Sequence, residues 1–235
     1  MTARAFDRTS ETAERGRSSP SRLTAERIID GAVALADRIG TDALTIRKLA
    51  ETLDVKPMTI YHYVPSKEAI LDGMVDHVFA EIVLPPTDQP WRDAILVRCH
   101  SMREVLARHP WAAPLMEGRT TPGPALLRHH DAVLGCFSRA GFSLELVGHA
   151  YAVVDAFLYG FAIQEASLPA TAGDDMAELA GAIMEQMPAD LYPHLTEFTI
   201  GRVLQPGYDF GDEFDVGINL ILDGLARAVD DRRTP

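Results

Sequence analysis

The stretch from Leu44 to Lys67, LTIRKLAETLDVKPMTIYHYVPSK, leaves this chain few choices. It predicts two short helices joined by a tight turn, the second too polar and aromatic to serve as a core helix. Thr45 is placed to cap the first, its hydroxyl accepting from backbone N–H groups a turn ahead. Ile46, Leu49, Ala50 and Leu53 share one face, and Arg47 and Lys48 are left on the other. Asp54 and Val55 form the turn, with Val55 plugging the angle between the helices. Pro57 suits a first helical position, where a missing N–H costs nothing. Ile60 and Val64 point inward, which leaves Thr59, Tyr61, His62 and Tyr63 to project. That is the form of a helix-turn-helix whose second helix lies in a DNA groove. For Tyr61 and Tyr63 the alternative is that one of them is a core aromatic.

The segment from about Thr24 to Val83 resembles the DNA-binding domain of the TetR family of bacterial transcriptional regulators. The likeness lies in Ile28 to Leu35, in LTIRKLAETLDV, in the run Thr59-Ile60-Tyr61-His62-Tyr63, and in the Ser66-Lys67 helix start. It implies DNA contacts from Thr45, Arg47, Pro57, Met58, Thr59, Tyr61 and Tyr63, with a helix-start contact at Lys67. Arg47 suits a guanine O6/N7 edge, and Pro57 and Met58 suit thymine methyls. The three residues Thr59, Tyr61 and Tyr63 suit phosphates. The tetracycline repressors carry a Gln-Pro pair where this chain has Pro57-Met58, so their operator sequence does not transfer.

The net charge of −12 looks wrong for such a protein until it is divided. Residues 1–84 carry a net −2 and residues 85–235 a net −10, so the acidity belongs mainly to the part facing away from DNA. The only lysines, Lys48, Lys56 and Lys67, all fall in the reader segment. Chance clustering explains three residues; so does phosphate neutralisation. Cys99 and Cys136 sit in amphipathic helical patterns without metal-ligand spacing and read as small apolar side chains in a reducing compartment. No stretch of about eighteen apolar residues is evident. The N-terminus lacks a signal-peptide core. A cytoplasmic protein with no membrane contact is expected.

Residues 1–22 form a polar, Arg-rich arm, either a flexible tail or a segment that orders on DNA. Residues 23–84 form the three-helix helix-turn-helix DNA-binding domain, and residues 85–235 a helical effector-binding and dimerisation domain, making the whole chain all-α. Predicted helices run from Thr24 to Gly40, Ser66 to about Leu84, Trp91 to Arg108, Trp111 to Glu117, Ala125 to Ala140 and Ser143 to about Leu168. Further ones cover Met176–Gln186, Tyr192–Thr199 and Phe210–Val229, the last resembling the closing helix of the tetracycline repressors' C-terminal domain. The Ser143–Leu168 and Phe210–Val229 helices have apolar faces wide enough to pair with their copies about a two-fold axis, presenting two readers to a palindromic operator.

No catalytic signature is present. The pair His129-His130 with Asp131 is the obvious candidate cluster, but helical neighbours point about 100° apart and do not readily share a metal. The central helices carry the makings of a mostly apolar small-molecule pocket with a few fixed polar groups: Trp91, His100, Trp111, Met116, Leu126, His130, Phe137, Tyr151, Asp155 and Tyr159. The same residues are what any helical core needs. In the tetracycline repressors a histidine before a Gly-Thr-Arg turn coordinates a drug-bound magnesium. Here the stretch is Leu115-Met116-Glu117-Gly118-Arg119, and a lone carboxylate makes a poor site. No cofactor or resident metal is expected, and the effector should be flat, apolar and held between the Trp91, Ala125 and Ser143 helices. The alternative is a constitutive or architectural DNA-binding protein whose C-terminal domain only dimerises.

Overall fold

Thr24, Thr45, Ser66 and Ser143 each stand one residue ahead of a helix, and each hydroxyl accepts from the backbone N–H three residues on, at 3.1–3.3 Å. Four helix starts are therefore fixed locally, before any packing. The structure, a computed structural model, describes residues 22–116, 119, 121–186, 188 and 190–233. Residues 1–21 of the N-terminal arm and Glu117 lie outside the described residues. Among those described there is no strand, only an isolated bridge between Ala172 and Asp209.

Helix α1 (Ala25–Ile39) ends at Gly40, whose N–H reaches back to the Ala36 carbonyl and whose φ of 74° turns the chain out of the helix. Helices α2 (Ile46–Thr52) and α3 (Pro57–Ile60) follow. Between them Asp54 takes the left-handed conformation, φ 54°, and the Val55 N–H returns to the Ala50 carbonyl at 3.0 Å. A short polar side chain tolerates that backbone better than most. Helix α4 (Lys67–Glu81) packs on α1 so closely that a Cβ on Gly73 would sit 2.6 Å from Ile29 Cδ1.

The end of α4 falls short of the expected Leu84. Ile82 turns into extended backbone with its side chain buried, and the Val83 N–H is taken by Ser101 Oγ at 2.9 Å. Pro85 reinforces the stop, since it disfavours helical backbone at Leu84.

The remaining helices are α5 (Trp91–Arg108), α6 (Ala112–Met116), α7 (Pro124–Arg139), α8 (Leu144–Ser167), α9 (Gly173–Gln186), α10 (Pro193–Phe198) and α11 (Glu213–Arg233). A π-helical turn at Thr199–Val203 prolongs α10, and a 3₁₀ turn at Phe210–Asp212 precedes α11. Helix α8 packs against α5, α6, α7 and α11, and α4 packs against α1, α6 and α7. One buried apolar cluster runs from Leu23 to Val229 through both groups. Cys99 and Cys136 are unbridged and buried in it; burial pushes the Cys99 thiol up to about 11.

One expectation is corrected here. Helix α8 is long and apolar enough to cross a membrane by length and composition, with an 18-residue window of mean hydropathy 1.5. Its buried residues pack on neighbouring helices, and Asp155 in its middle turns inward to a buried arginine.

Candidate nucleic-acid interface and ligand cavity

The turn after α2 and the Pro57 start set α3 on the surface with Ile60 and Val64 as its anchors, both buried. Everything else on it faces out. Thr45, Arg47, Lys48, Lys56, Pro57, Met58, Tyr61, His62, Tyr63 and Lys67 are all exposed, and Thr59 is half-buried. Tyr61 and Tyr63 keep 40% and 42% of their surface, so neither is a core aromatic. Met58 keeps 69%, unusual for a large apolar side chain with nothing to cover it. Arg47 Nε contacts Glu51 Oε1 at 3.0 Å in open solvent, an ion pair easily exchanged for a base edge or a phosphate. Lys48 is less free: its Nζ donates to the Ala43 carbonyl at 3.0 Å and holds the loop ahead of α2.

A cavity of about 540 Å³ opens between α4, α7 and α8 and the α6–α7 turn. Tyr151, Asp155 and Tyr159 line it from α8, Leu126 and His130 from α7, Met116 from α6 and Phe79 from α4. Beneath Asp155 lies Arg98, fully buried, its Nη2 at 2.7 Å from Asp155 Oδ1. The Arg98 Nε donates to His129 Nε2 at 3.1 Å. His129 therefore accepts at Nε2 and carries its proton on Nδ1. Burial, then the neighbouring Arg98, push its pKa down to about 3. Burial likewise lowers His130 and raises the Tyr151 phenol, which the Asp155 charge raises further. The cavity thus presents an imidazole and a Tyr151 phenol that burial holds toward their neutral forms, beside an Asp155 carboxylate already matched by Arg98.

The rim is tied to α4. Arg119 lines the cavity and places Nε at 2.5 Å from Asp72 Oδ1 and Nη2 at 2.8 Å from Glu68 Oε2. One turn further along α4, Asp76 accepts from the Leu126 N–H at 2.9 Å, capping the start of α7. Gly123 lies so near that an added Cβ would stand 2.2 Å from the Asp76 carboxyl carbon.

Residues 28–74 match the description "Bacterial regulatory proteins, tetR family", and residues 84–229 match "Tetracyclin repressor-like, C-terminal domain". The chain belongs to the TetR family. An HTH-type transcriptional regulator of Saccharopolyspora erythraea is 33% identical over 96% of this chain and 98% of its own. The class A tetracycline repressor from transposon 1721 of Escherichia coli is 31% identical over 88% and 92%. Among solved structures, apo ActR from Streptomyces coelicolor has a TM-score of 0.75 at 23% identity, covering 92% of this chain and 99% of that one. ActR in complex with actinorhodin has a TM-score of 0.72 at 25% identity, covering 89% and 99%. This chain is a DNA-binding transcriptional regulator with the helix-turn-helix of its family.

The regulator's cavity differs from the expected one in position and in part of its lining. It lies against α4 as well as α7 and α8, and α5 contributes no wall to it. Met116, Leu126, His130, Tyr151, Asp155 and Tyr159 line it; Trp91, His100, Trp111 and Phe137 do not. Trp91 and the fully buried Phe137 pack with Phe142, the ring centroids 5.0–5.9 Å apart. His100 meets Asp215 at 3.2 Å and the edge of Phe214. Trp111 Nε1 donates to Asp37 Oδ1 at 2.7 Å. Phe79, Arg119 and Leu127 are lining residues that sequence reading did not reach. Among the described residues no three His, Cys, Asp or Glu side chains are grouped to hold a metal.

The His129 pKa gives a test of this arrangement. It lies below the unfolded value, so the stability contributed is full above about pH 6.5 and is lost as pH falls toward 3. Its ring proton resonance should stay flat from pH 8 to roughly pH 4. A normal imidazole titration in the folded protein would show that Arg98 does not donate to it.

Proposed function

We propose that this regulator is a homodimeric repressor that holds a palindromic operator and releases it when a small, largely apolar effector enters the cavity. The observation that carries the reading is the Arg119 contact. One side chain lines the cavity and grips the first two turns of α4, the helix that follows the reader directly. An effector that moves Arg119 or the neighbouring α6 would shift α4 and swing the readers apart. A thousandfold loss of operator affinity asks for a ligand preference of about 4 kcal/mol between the two states. Among the relatives are tetracycline repressor proteins by name, and ActR was solved in complex with actinorhodin, which supports a small-molecule effector here. A regulator without an effector would have no need of a cavity wired to its reader.

Within this reading residues 23–84 read DNA, and residues 85–235 bind the effector and dimerise. The residues Thr45, Arg47, Lys48, Lys56, Pro57, Met58, Thr59, Tyr61, His62, Tyr63 and Lys67 meet the duplex. The dimer forms through α8 and α11, where Val153, Ile163, Val216 and Leu220 stay 44–67% exposed along helices otherwise packed on the core. Two-fold pairing of those faces would make a four-helix interface and set the readers on successive half-sites.

Three measurements test this. On a duplex selected by the protein from a random library, Arg47→Ala and Tyr61→Ala should each weaken binding, Arg47→Ala by about 1–3 kcal/mol. Thermal unfolding should stay near that of the parent; undiminished affinity at matched salt removes the placement of the reader. The parent should sediment as a dimer at micromolar concentration and Leu220→Glu as a monomer. A parent that is itself monomeric ends the two-fold model. Finally, with actinorhodin as the probe, release of the selected duplex should survive a chelator and be blunted about tenfold or more in Arg119→Ala. Release that vanishes with chelator and returns with magnesium would overturn the metal-independent effector.

A further inference from the structure

One group on the cavity wall is poorly served by the protein around it. Asp155 stands midway along the α8 wall, a turn after Tyr151 and a turn before Tyr159, and its side chain keeps 9% of its surface. Its Oδ1 comes within 2.7 Å of Arg98 Nη2, yet neither atom, nor Arg98 Nη1, has a hydrogen-bond partner among the described residues. The charges are close and their alignment is poor. The guanidinium donates through Nε to His129, the neighbour behind it. Buried polar groups are almost always hydrogen-bonded, so an ion pair left short of partners at a cavity requires an explanation.

Charge decides what kind of partner fits. Arg98 is fully buried, and Asp155 is the carboxylate that matches it. Burial pulls the Arg98 pKa down, and the Asp155 charge more than restores it. An ammonium group at Asp155 would set two cations against one carboxylate and strand the deeper one, a costly arrangement out of water. A second carboxylate there would be repelled. Arg119, the other charged lining residue, offers an anion little, because Glu68 and Asp72 already hold it. A neutral hydroxyl avoids both costs. It donates to a carboxylate that has room for about four hydrogen bonds, and it leaves the pair balanced. The wall around it is aromatic: His130 meets Phe79 and Tyr151 edge-on, at centroid distances of 5.9 and 5.4 Å.

We propose that Asp155 selects the effector: the cavity takes a neutral aromatic ring compound bearing a hydroxyl, which donates to the Asp155 carboxylate while Arg98 holds that carboxylate in place. Asp155 can do so only if the cavity is the effector site proposed above, and it narrows that effector from a largely apolar molecule to one with a hydroxyl at a fixed point. Asp155 is then the specificity residue. Arg98 is a positioning residue that acts through it.

Four probes of one shape test this: naphthalene, β-naphthol, β-naphthoate and β-naphthylmethylammonium, each titrated into the full chain by calorimetry at neutral pH. In the parent, β-naphthol should bind about tenfold or more tighter than naphthalene, and both charged probes should bind more weakly than β-naphthol. Equal affinities for β-naphthol and naphthalene, or tighter binding of either charged probe, overturn the role of Asp155 without need of any variant. Asp155→Asn alone would strand the Arg98 charge, so the informative variant is Asp155→Leu with Arg98→Met, which removes the pair together. Naphthalene should bind it as it binds the parent, and β-naphthol should lose its advantage. An advantage that survives the double substitution also overturns the proposal. The cavity itself is tested by Ala156→Trp, which fills it from an exposed position on α8 and should abolish binding of β-naphthol and naphthalene alike. Binding unchanged in A156W, or no binding of any probe to the parent, is the separate failure: it overturns the cavity as the effector site.

Discussion

Helix α4 belongs to two cores at once, and the rest of the structure is arranged around that constraint. On one side Gly73 lets it approach α1 until Ile29 touches its backbone, and on the other Asp76 caps the start of α7 beside Gly123. Its apolar residues Ile70, Met74 and Val78 are fully buried, so α4 has little freedom to adjust alone. Close-packed interiors shift between discrete arrangements rather than deform smoothly. A helix shared in this way must carry both neighbours with it when it moves.

The polar contacts on α4 divide by direction. Glu68, Asp72 and Asp76 are spaced four apart and meet Arg119 and α7, on the cavity side. His77 and Glu81 meet α1 and α5, on the reader's side. One helix thus carries a carboxylate row toward the cavity and a histidine–carboxylate chain toward the DNA-binding half. Charged contacts of this kind trade partners over short distances, whereas the apolar contacts between them hold the register.

What was legible in the sequence was what is decided locally. The four hydroxyl caps, the Asp54-Val55 turn and the Pro57 start are short-range chemistry, and the reader fell where they put it. On α8, Tyr151, Asp155 and Tyr159 repeat every four residues and line one wall of the cavity. Trp91, His100, Trp111 and Phe137 lie off this cavity, and an aromatic in a core and an aromatic at a cavity have the same pattern in sequence. Phe79 and Arg119 went unread because they reach the cavity from α4 and a turn, through pairings some fifty residues apart in sequence. Arg98 did leave a signal: it shares a helix face with Ile95 and Met102, both fully buried, and an arginine there needs a buried acid.

Lys48, Lys56 and Lys67 are the chain's only lysines, all three exposed along the reader. Any chemistry aimed at side-chain amines therefore has a single address on this molecule. Acetylation, fluorescent labelling or coupling to an activated surface would strike the reader segment and spare the acidic body. A sample immobilised through its lysines would present its cavity to solution with the helix-turn-helix against the support.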